Sequence, residues 1–417
     1  MADDFTRKLD VVEKTKVHVG ELVPGMFVTE LDRPWEETPF LFQGFEIKSE
    51  ADIDEIAKHC RFVYIDTLRT RIIRPELNRT PSAPSYFRKG PLPKTTPLAK
   101  ELEAAKATQD RTSSLIKTFV EDVKFGRSID VQMAKAAVSE CVASVMRNAE
   151  ALMFLTKIRD RDEYTSQHSF NVSVYSIVLG RYAGLTVKEL ENLGTCGLLH
   201  DMGKVNVPLE ILLKEGRLNE AEFAVMKQHT TFGRDILMSG RNIFSGSVDV
   251  AYGHHENLDG TGYPRGLEGH QLSQNTKIVA IVDKYDAITA DRVYQRGRTH
   301  MEAMSILNKI ASKTQIDSPL TLGFISTLGL FPSGSIVELT SGEVAIVLEQ
   351  NPDHRLRPQV LIVRDANKNP IPQRFVDLAE VQIDNQGRPY KISGMLRAGD
   401  HGIDLLQYQS LITKALG

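Results

Sequence analysis

Seven residues between 168 and 283 have types and spacing suited to chemistry: His168, His200, Asp201, His229, His254, His255 and Asp283. Imidazole and carboxylate together suit borderline first-row divalent metals. Seven such groups exceed the needs of one tetrahedral zinc and suit two ions sharing a bridging carboxylate. A lone histidine in an apolar helix is usually a structural residue whose hydrogen bonds are satisfied, and His270, His300 and His354 are read that way. The cluster sits in a different context. His200-Asp201 follows Gly197-Leu198-Leu199, where two adjacent polar groups are costly unless satisfied. Metal ligation would satisfy both. His254-His255 is a second adjacent pair, at the edge of a glycine-rich stretch.

Such a centre suits phosphodiester hydrolysis. Two metals about 3.5–4 Å apart hold a bridging hydroxide ready for in-line attack on phosphorus. A metal-bound phosphate oxygen is polarised as charge develops. Lys204 follows His200 by about one helical turn, so both can face one cleft. Its ammonium would add a point charge there; the alternative is a solvated helix-end lysine.

The elements that must position these groups are helical. Phe170, Val174, Ile177 and Val178 follow helical spacing, as Val279, Val282 and Ile288 do more loosely. The chain is therefore expected to be mainly α, with an all-helical core over 162–315 interrupted by the glycine-rich loop Gly253 to Gly269. Ahead of it, residues 1–75 read as a small mixed α/β domain. There 16–31 forms short strands broken at Gly20 and Pro24-Gly25, Ser49 to His59 a helix, and 62–65 a buried strand. Trp35 is read as a packing residue rather than a surface anchor. Residues 76–98, with five prolines, read as a linker. Residues 99–161 form a helical connector, either a stalk that relays signals or pairs subunits, or helices packed on their own domain. The extension 316–417 carries a small antiparallel sheet, with strands at 335–339, 343–347 and 360–363.

Composition limits the partners. The 417 residues carry 51 basic and 54 acidic side chains, a net charge of −3. No global positive field attracts a nucleic acid polymer. The three cysteines, Cys60, Cys141 and Cys196, form no CxxC, which excludes a disulfide framework and thiolate zinc sites. Cys196, one turn before His200, is read as a buried structural thiol. No run of about 18 apolar residues is present, so no membrane span is expected. The start MADDFTRKLD has no secretory pattern. A cytoplasmic location follows as the expectation.

The order His168, His200-Asp201, Asp283 resembles the HD superfamily of metal-dependent phosphohydrolases. GLLHDMGKVNVP (197–208), MKQHTTFG around His229, HHENLDGTGYPRGLEG (254–269) and IVDKYDAITADRVY (281–294) are similar to the HD-GYP family, named for the triplet at 262–264. The resemblance covers about 150–350, and the N-terminal region resembles the domain of unknown function that precedes many HD-GYP domains. It implies an HD-type helical core and a cytoplasmic bacterial phosphodiesterase. That enzyme would hydrolyse cyclic di-GMP to pGpG and in some members onward to GMP. By position, His168, His200, Asp201 and Asp283 would hold one metal. Asp201 would bridge to a second held by His229, His254 and His255. Lys204 would contact a phosphate, and Arg292 stands where the family places a basic residue near substrate. Some members add a glutamate four residues before the first histidine for a third metal. Tyr164 stands there, so two ions, iron or manganese, are expected.

Within the loop, Tyr263 would stack on guanine or close as a lid, and Arg265 would reach phosphate. A surface for a diguanylate cyclase or adaptor protein is an equal reading. Glu256 and Asp259 would orient imidazoles or stand as solvated loop carboxylates. Dimerisation is open. Two rival functions remain: a binding module for cyclic di-GMP or a partner with weak or no catalysis, and an HD phosphohydrolase of another cyclic nucleotide.

Overall fold

Strand-forming sequence at both ends of the chain encloses a long helical stretch. The computed structural model describes residues 14–22, 24–40, 44–66, 93–158, 164–240, 243–291, 296–351, 353–384 and 386–416. By contacts the chain divides into two compact units, 1–83 and 84–417.

The first unit holds β1 (Lys14–His18), β2 (Phe27–Leu31), β3 (Phe45–Glu46), α1 (Glu50–His59) and β4 (Phe62–Asp66). The strands form an antiparallel sheet in the order β1-β4-β2-β3. Ser49 starts α1 with a capping box closed by Asp52. Val28, Ile47, Ile56 and Val63 are fully buried between helix and sheet. Trp35 packs against this core, edge-on to Phe45 at 6.1 Å. Residues 76–92 of the expected linker, like the MADDFTRKLD segment, lie outside the described residues.

The second unit opens with two long helices, α2 (Leu98–Lys124) and α3 (Val131–Leu155). Eleven buried positions of α2, from Leu98 to Phe119, face α3 and the core behind it. Glu101 on α2 accepts from Ser144 at 2.7 Å and from Arg147 at 2.6 Å on α3. α3 in turn packs on α4 (Tyr164–Tyr182) and α5 (Val187–Leu199), so this pair lies against its own domain. α3 is kinked at Asn148 (φ −158°, ψ 102°). There Asn148 Nδ2 donates to Thr96 O at 3.0 Å and Glu349 Oε1 at 3.3 Å.

The helical core continues through α6 (Leu209–Leu212), α7 (Glu220–Lys227), α8 (His229–Ser239), α9 (Ser245–Gly253), α10 (Gln274–Thr289), α11 (His300–Ser312) and α12 (Ser318–Leu328). After it come β5 (Ile336–Leu339), β6 (Val344–Glu349), β7 (Gln359–Arg364), β8 (Pro370–Asp377) and β9 (Ile392–Leu396). They form an antiparallel sheet in the order β8-β7-β6-β5-β9, larger than the three strands read from sequence. β8 lacks an apolar run because it is an edge strand with most of its residues exposed. α13 (Leu405–Leu416) then returns to pack on α2. The mainly α architecture with a sheet at each end is the one expected. No helix among the described residues is long and apolar enough to cross a membrane.

Candidate metal centre

The seven side chains come from five helical segments, and small residues bring those segments together. A Cβ on Gly197 of α5 would lie 2.9 Å from Ser173 Cα and 3.0 Å from Val172 O on α4. The close crossing sets the His168 ring 5.1 Å from that of His200, which ends α5. Asp201 follows, and the 3-10 turn Met202–Asn206 carries the chain against α8. A Cβ on Gly203 would sit 1.9 Å from His229 O and 2.3 Å from Gly233 N, so only glycine permits this approach. His229 begins α8, His254 ends α9, and Asp283 lies on the buried face of α10.

The donor atoms converge. Asp201 Oδ2 lies 3.3 Å from both His168 Nε2 and His200 Nε2. Its other oxygen, Oδ1, lies 3.6 Å from His229 Nε2 and from His254 Nε2. Asp283 Oδ1 is 3.3 Å from His168 Nε2 and 3.9 Å from His200 Nε2. His229, His254 and His255 present ligand atoms within 4.8 Å of one another, as do His168, His200 and Asp283. Asp201 stands between the two groups, one oxygen toward each.

The ring nitrogens facing away from the centre are tied down. His200 Nδ1 donates to Gly197 O at 2.8 Å, His229 Nδ1 to Met226 O at 2.7 Å and His254 Nδ1 to Val250 O at 3.1 Å. These bonds select tautomers whose Nε2 lone pairs point inward, as metal ligation requires. Inside, His200 Nε2 and Asp201 Oδ1 are buried with no hydrogen-bond partner. The Nε2 atoms of His229 and His254 lie only 3.4 Å apart. Orphaned buried atoms, and imidazole lone pairs facing one another at this distance, are costly unless a cation lies among them. The donor set fits divalent metal.

The electrostatics agree. Burial pushes the His229 imidazole down to about 4, and the neighbouring His254 adds to this against the pull of Asp201. Burial also lowers His254 and holds His255 well below the usual imidazole range. All three are therefore neutral near neutral pH, as a metal ligand must be. Burial opposes ionisation of Asp201, but Lys204 and His200 outweigh it and hold the carboxyl well below its usual range. Asp283 is held well below its usual range, against burial, chiefly by its hydrogen bond with His168.

Sequence reasoning missed two groups. His168 Nδ1 donates to Asp286 Oδ2 at 2.8 Å, and Asn171 Nδ2 donates to Asp286 Oδ1 at 2.9 Å. Asp286 orients the His168 ring, and Asn171 holds Asp286. The signal was available: Asp286 follows Asp283 by three residues on one helix face, and a second buried carboxylate there needs a partner.

Comparison with known proteins gives the family. Residues 153–320 match the HD domain, 14–134 a domain of unknown function (DUF3391), and 336–384 a KOW domain associated with the HD domain. The chain is 35% identical over 369 residues to the cyclic di-GMP phosphodiesterase PA4108 of Pseudomonas aeruginosa, covering 87% of this chain and 88% of that protein. This chain belongs to the HD-GYP family. Two further relatives match over the core alone. The 3'3'-cGAMP-specific phosphodiesterase 1 of Vibrio cholerae is 36% identical over 170 residues, 40% of this chain and 39% of that protein. The cyclic di-GMP phosphodiesterase of Thermotoga maritima is 35% identical over 165 residues, 39% and 44% of the two chains.

The loop that names the HD-GYP family closes over one side of the centre. Tyr263 stacks on the His255 ring at 4.8 Å and 26°, so one face of the tyrosine is already covered. Glu256 does not orient an imidazole. It is buried and accepts from Arg265 N at 2.8 Å and Leu267 N at 3.0 Å, clasping the loop. Asp259 likewise turns to the loop itself, accepting from Thr261 N at 3.0 Å. A Cβ on Gly262 would lie 2.2 Å from Asn257 N, so the clasp needs glycine. Arg265 lays its guanidinium 4.5 Å from the Tyr252 ring and 3.7 Å from Asp249. Lys204, 27% exposed, donates to Asp201 Oδ2. Cys196 is buried 3.6 Å from Ser247 Oγ, its thiol pushed up to about 12 by burial. Arg292 and the Tyr164 side chain lie outside the described residues.

Proposed function

We propose that this HD-GYP chain is a metal-dependent phosphodiesterase that hydrolyses cyclic di-GMP to pGpG, with GMP as a possible end product. The observation that carries the reading is Asp201, buried with one oxygen toward each of two groups of ligands. His168, His200 and Asp283 would hold one divalent ion, His229, His254 and His255 a second, with Asp201 shared. When bound, these ions supply an activated water and neutralise charge on the phosphate. Iron and manganese both suit the donors.

The chain's own residues do the rest. The buried carboxylates and fixed imidazoles are preorganised in a buried site, where electrostatic effects are strong. Lys204 reaches from Asp201 toward solvent and is placed to turn its ammonium to an entering phosphate. Tyr263 covers His255 and shields that flank. Arg265, held by Tyr252 and Asp249, must leave them to meet a phosphate; its present contacts favour a role in shaping the loop. The exposed Thr261, Pro264 and Gly266 offer a surface to a diguanylate cyclase or adaptor.

Protein loaded anaerobically with Fe(II) or Mn(II) should convert cyclic di-GMP to pGpG, read by product chromatography. Tight binding without turnover under every metal would instead favour the binding module. Faster turnover of another cyclic dinucleotide would favour the second rival, which the match to a 3'3'-cGAMP-specific relative keeps in view.

A further inference from the structure

Beyond the candidate metal ligands, Phe223 and Lys227 at the rim of the centre have no role in the account above. Phe223 on α7 is 43% exposed, a large apolar ring left in water. It meets Tyr263 edge to face, with centroids 6.0 Å apart and planes at 82°. Tyr263 in turn lies 4.8 Å from His255 and 6.4 Å from His229. A continuous aromatic path therefore runs from the metal ligands outward to Phe223. Lys227, one turn further along α7, places its Nζ 5.2 Å from the Phe223 ring and 5.8 Å from the Tyr263 ring. Among the described residues no carboxylate pairs with that ammonium.

Two rings at a right angle make a niche for a flat ligand. A base lying on one ring turns its edge to the other. Base–aromatic stacking works with any base, so the rings by themselves do not choose among purines. The ammonium does. Guanine presents two neighbouring acceptors, N7 and O6, on one edge, whereas adenine presents one acceptor and an N–H donor there. A lysine has donors only, so it gains from guanine and meets a repulsive amino group on adenine.

We propose that Phe223 and the face of Tyr263 turned away from His255 form the niche for one base of a cyclic dinucleotide, and that Lys227, now against both rings, reads its N7/O6 edge and selects guanine. This rests on the phosphodiesterase reading and adds to it the residues that decide which dinucleotide is taken. Phe223 and Lys227 are binding and specificity residues and take no part in the bond cleavage.

The test compares kcat and KM of wild type, Phe223→Ala, Phe223→Trp, Lys227→Met and Lys227→Arg on cyclic di-GMP, 3'3'-cGAMP and cyclic di-AMP. Bis(p-nitrophenyl) phosphate serves as a diester without purines. Phe223→Ala is expected to lower kcat/KM for cyclic di-GMP by about ten- to a hundredfold, the effect of one lost stack, mainly through KM. Phe223→Trp restores it. Lys227→Met is expected to reduce the preference for cyclic di-GMP over cyclic di-AMP by about tenfold, and Lys227→Arg to keep it. Equal losses on all four substrates in Lys227→Met would mean that the lysine meets phosphate, and would overturn the guanine assignment. A loss in Phe223→Ala that follows metal content or melting temperature, without rescue by tryptophan, would overturn the niche. Wild type that turns over none of the dinucleotides would sink the hydrolase reading instead. The niche would then be judged by binding: GMP, but not ribose 5-phosphate, must quench the tryptophan placed at 223, against the single native tryptophan Trp35.

Discussion

His200 and His300 are both buried in the same helical core, and they differ in what meets their second nitrogen. His300 Nδ1 accepts from the Tyr285 hydroxyl at 2.9 Å, and its Nε2 donates to Gly329 O at 2.9 Å. Lys157 Nζ completes the chain by donating to Tyr285 at 2.9 Å. Every polar atom there finds a protein partner, and burial, with Lys157 nearby, pushes the His300 imidazole down to about 3. His200 has one nitrogen tied to a carbonyl and the other buried with no hydrogen-bond partner, as Asp201 Oδ1 is. A completed network is structure; an incomplete one whose open atoms converge is a binding site for something absent from the polypeptide.

Replacing Asp201 tests the contrast most severely. Asp201→Ala removes the group shared by both clusters and should cut cyclic di-GMP turnover on the order of a thousandfold or more, with elemental analysis showing lost metal. Chelator should lower the melting temperature of the wild type, because metal binds only the folded state, and should leave that of Asp201→Ala unmoved. A variant that kept its metal would break the comparison.

A third buried group lies between the two cases. Glu150 carries a carboxyl pushed up to about 7, by burial first and by the nearby Glu349, against the pull of Lys94. The folded value is above the unfolded one near 4.5, so the folded state holds the proton more tightly. Its contribution is full below about pH 4.5 and is lost as pH rises through 7, by at most about 3 kcal/mol. Glu150→Gln should therefore raise the melting temperature at pH 8 and match wild type at pH 4.5. A constant offset between the two pH values would show that proton linkage is not involved.

Asp286→Ala should weaken metal affinity by about 10- to 100-fold, the usual cost of losing a partner that orients a ligating histidine, measured by chelator competition. An unchanged affinity would mean that the ring of His168 is held by packing alone. The smallest effect belongs to His300. His300→Leu should cost about 1–3 kcal/mol in denaturant unfolding by stranding the Gly329 carbonyl and leave metal content untouched. Loss of metal would erase the distinction between the two histidines.

The seven candidate ligands could be picked out of the sequence because imidazoles and carboxylates occur there in contexts that otherwise penalise them, and the structure brings them together. The partition between two groups entered through family resemblance; the roles of Asp286 and Asn171 did not enter at all. Both depend on which helix faces meet, and helical spacing gives a face without saying what opposes it. The edge strands β8 and β9 were missed for a related reason: half-exposed strands carry no apolar run, and pairing with β7 and β5 supplies what their own side chains do not. Glu256 shows the limit of reading by proximity. It stands beside His254 and His255 in sequence yet serves the loop backbone.

Position 203 carries a wider lesson. It contributes no donor, charge or surface, and its single α-hydrogen is what lets two distant stretches of chain touch. A saturation screen scored on activity should find it as intolerant as any ligand, and would invite the label of an active-site residue. Its importance is that of a spacer: the distance separating the paired halves of the centre is written there as an absence of atoms.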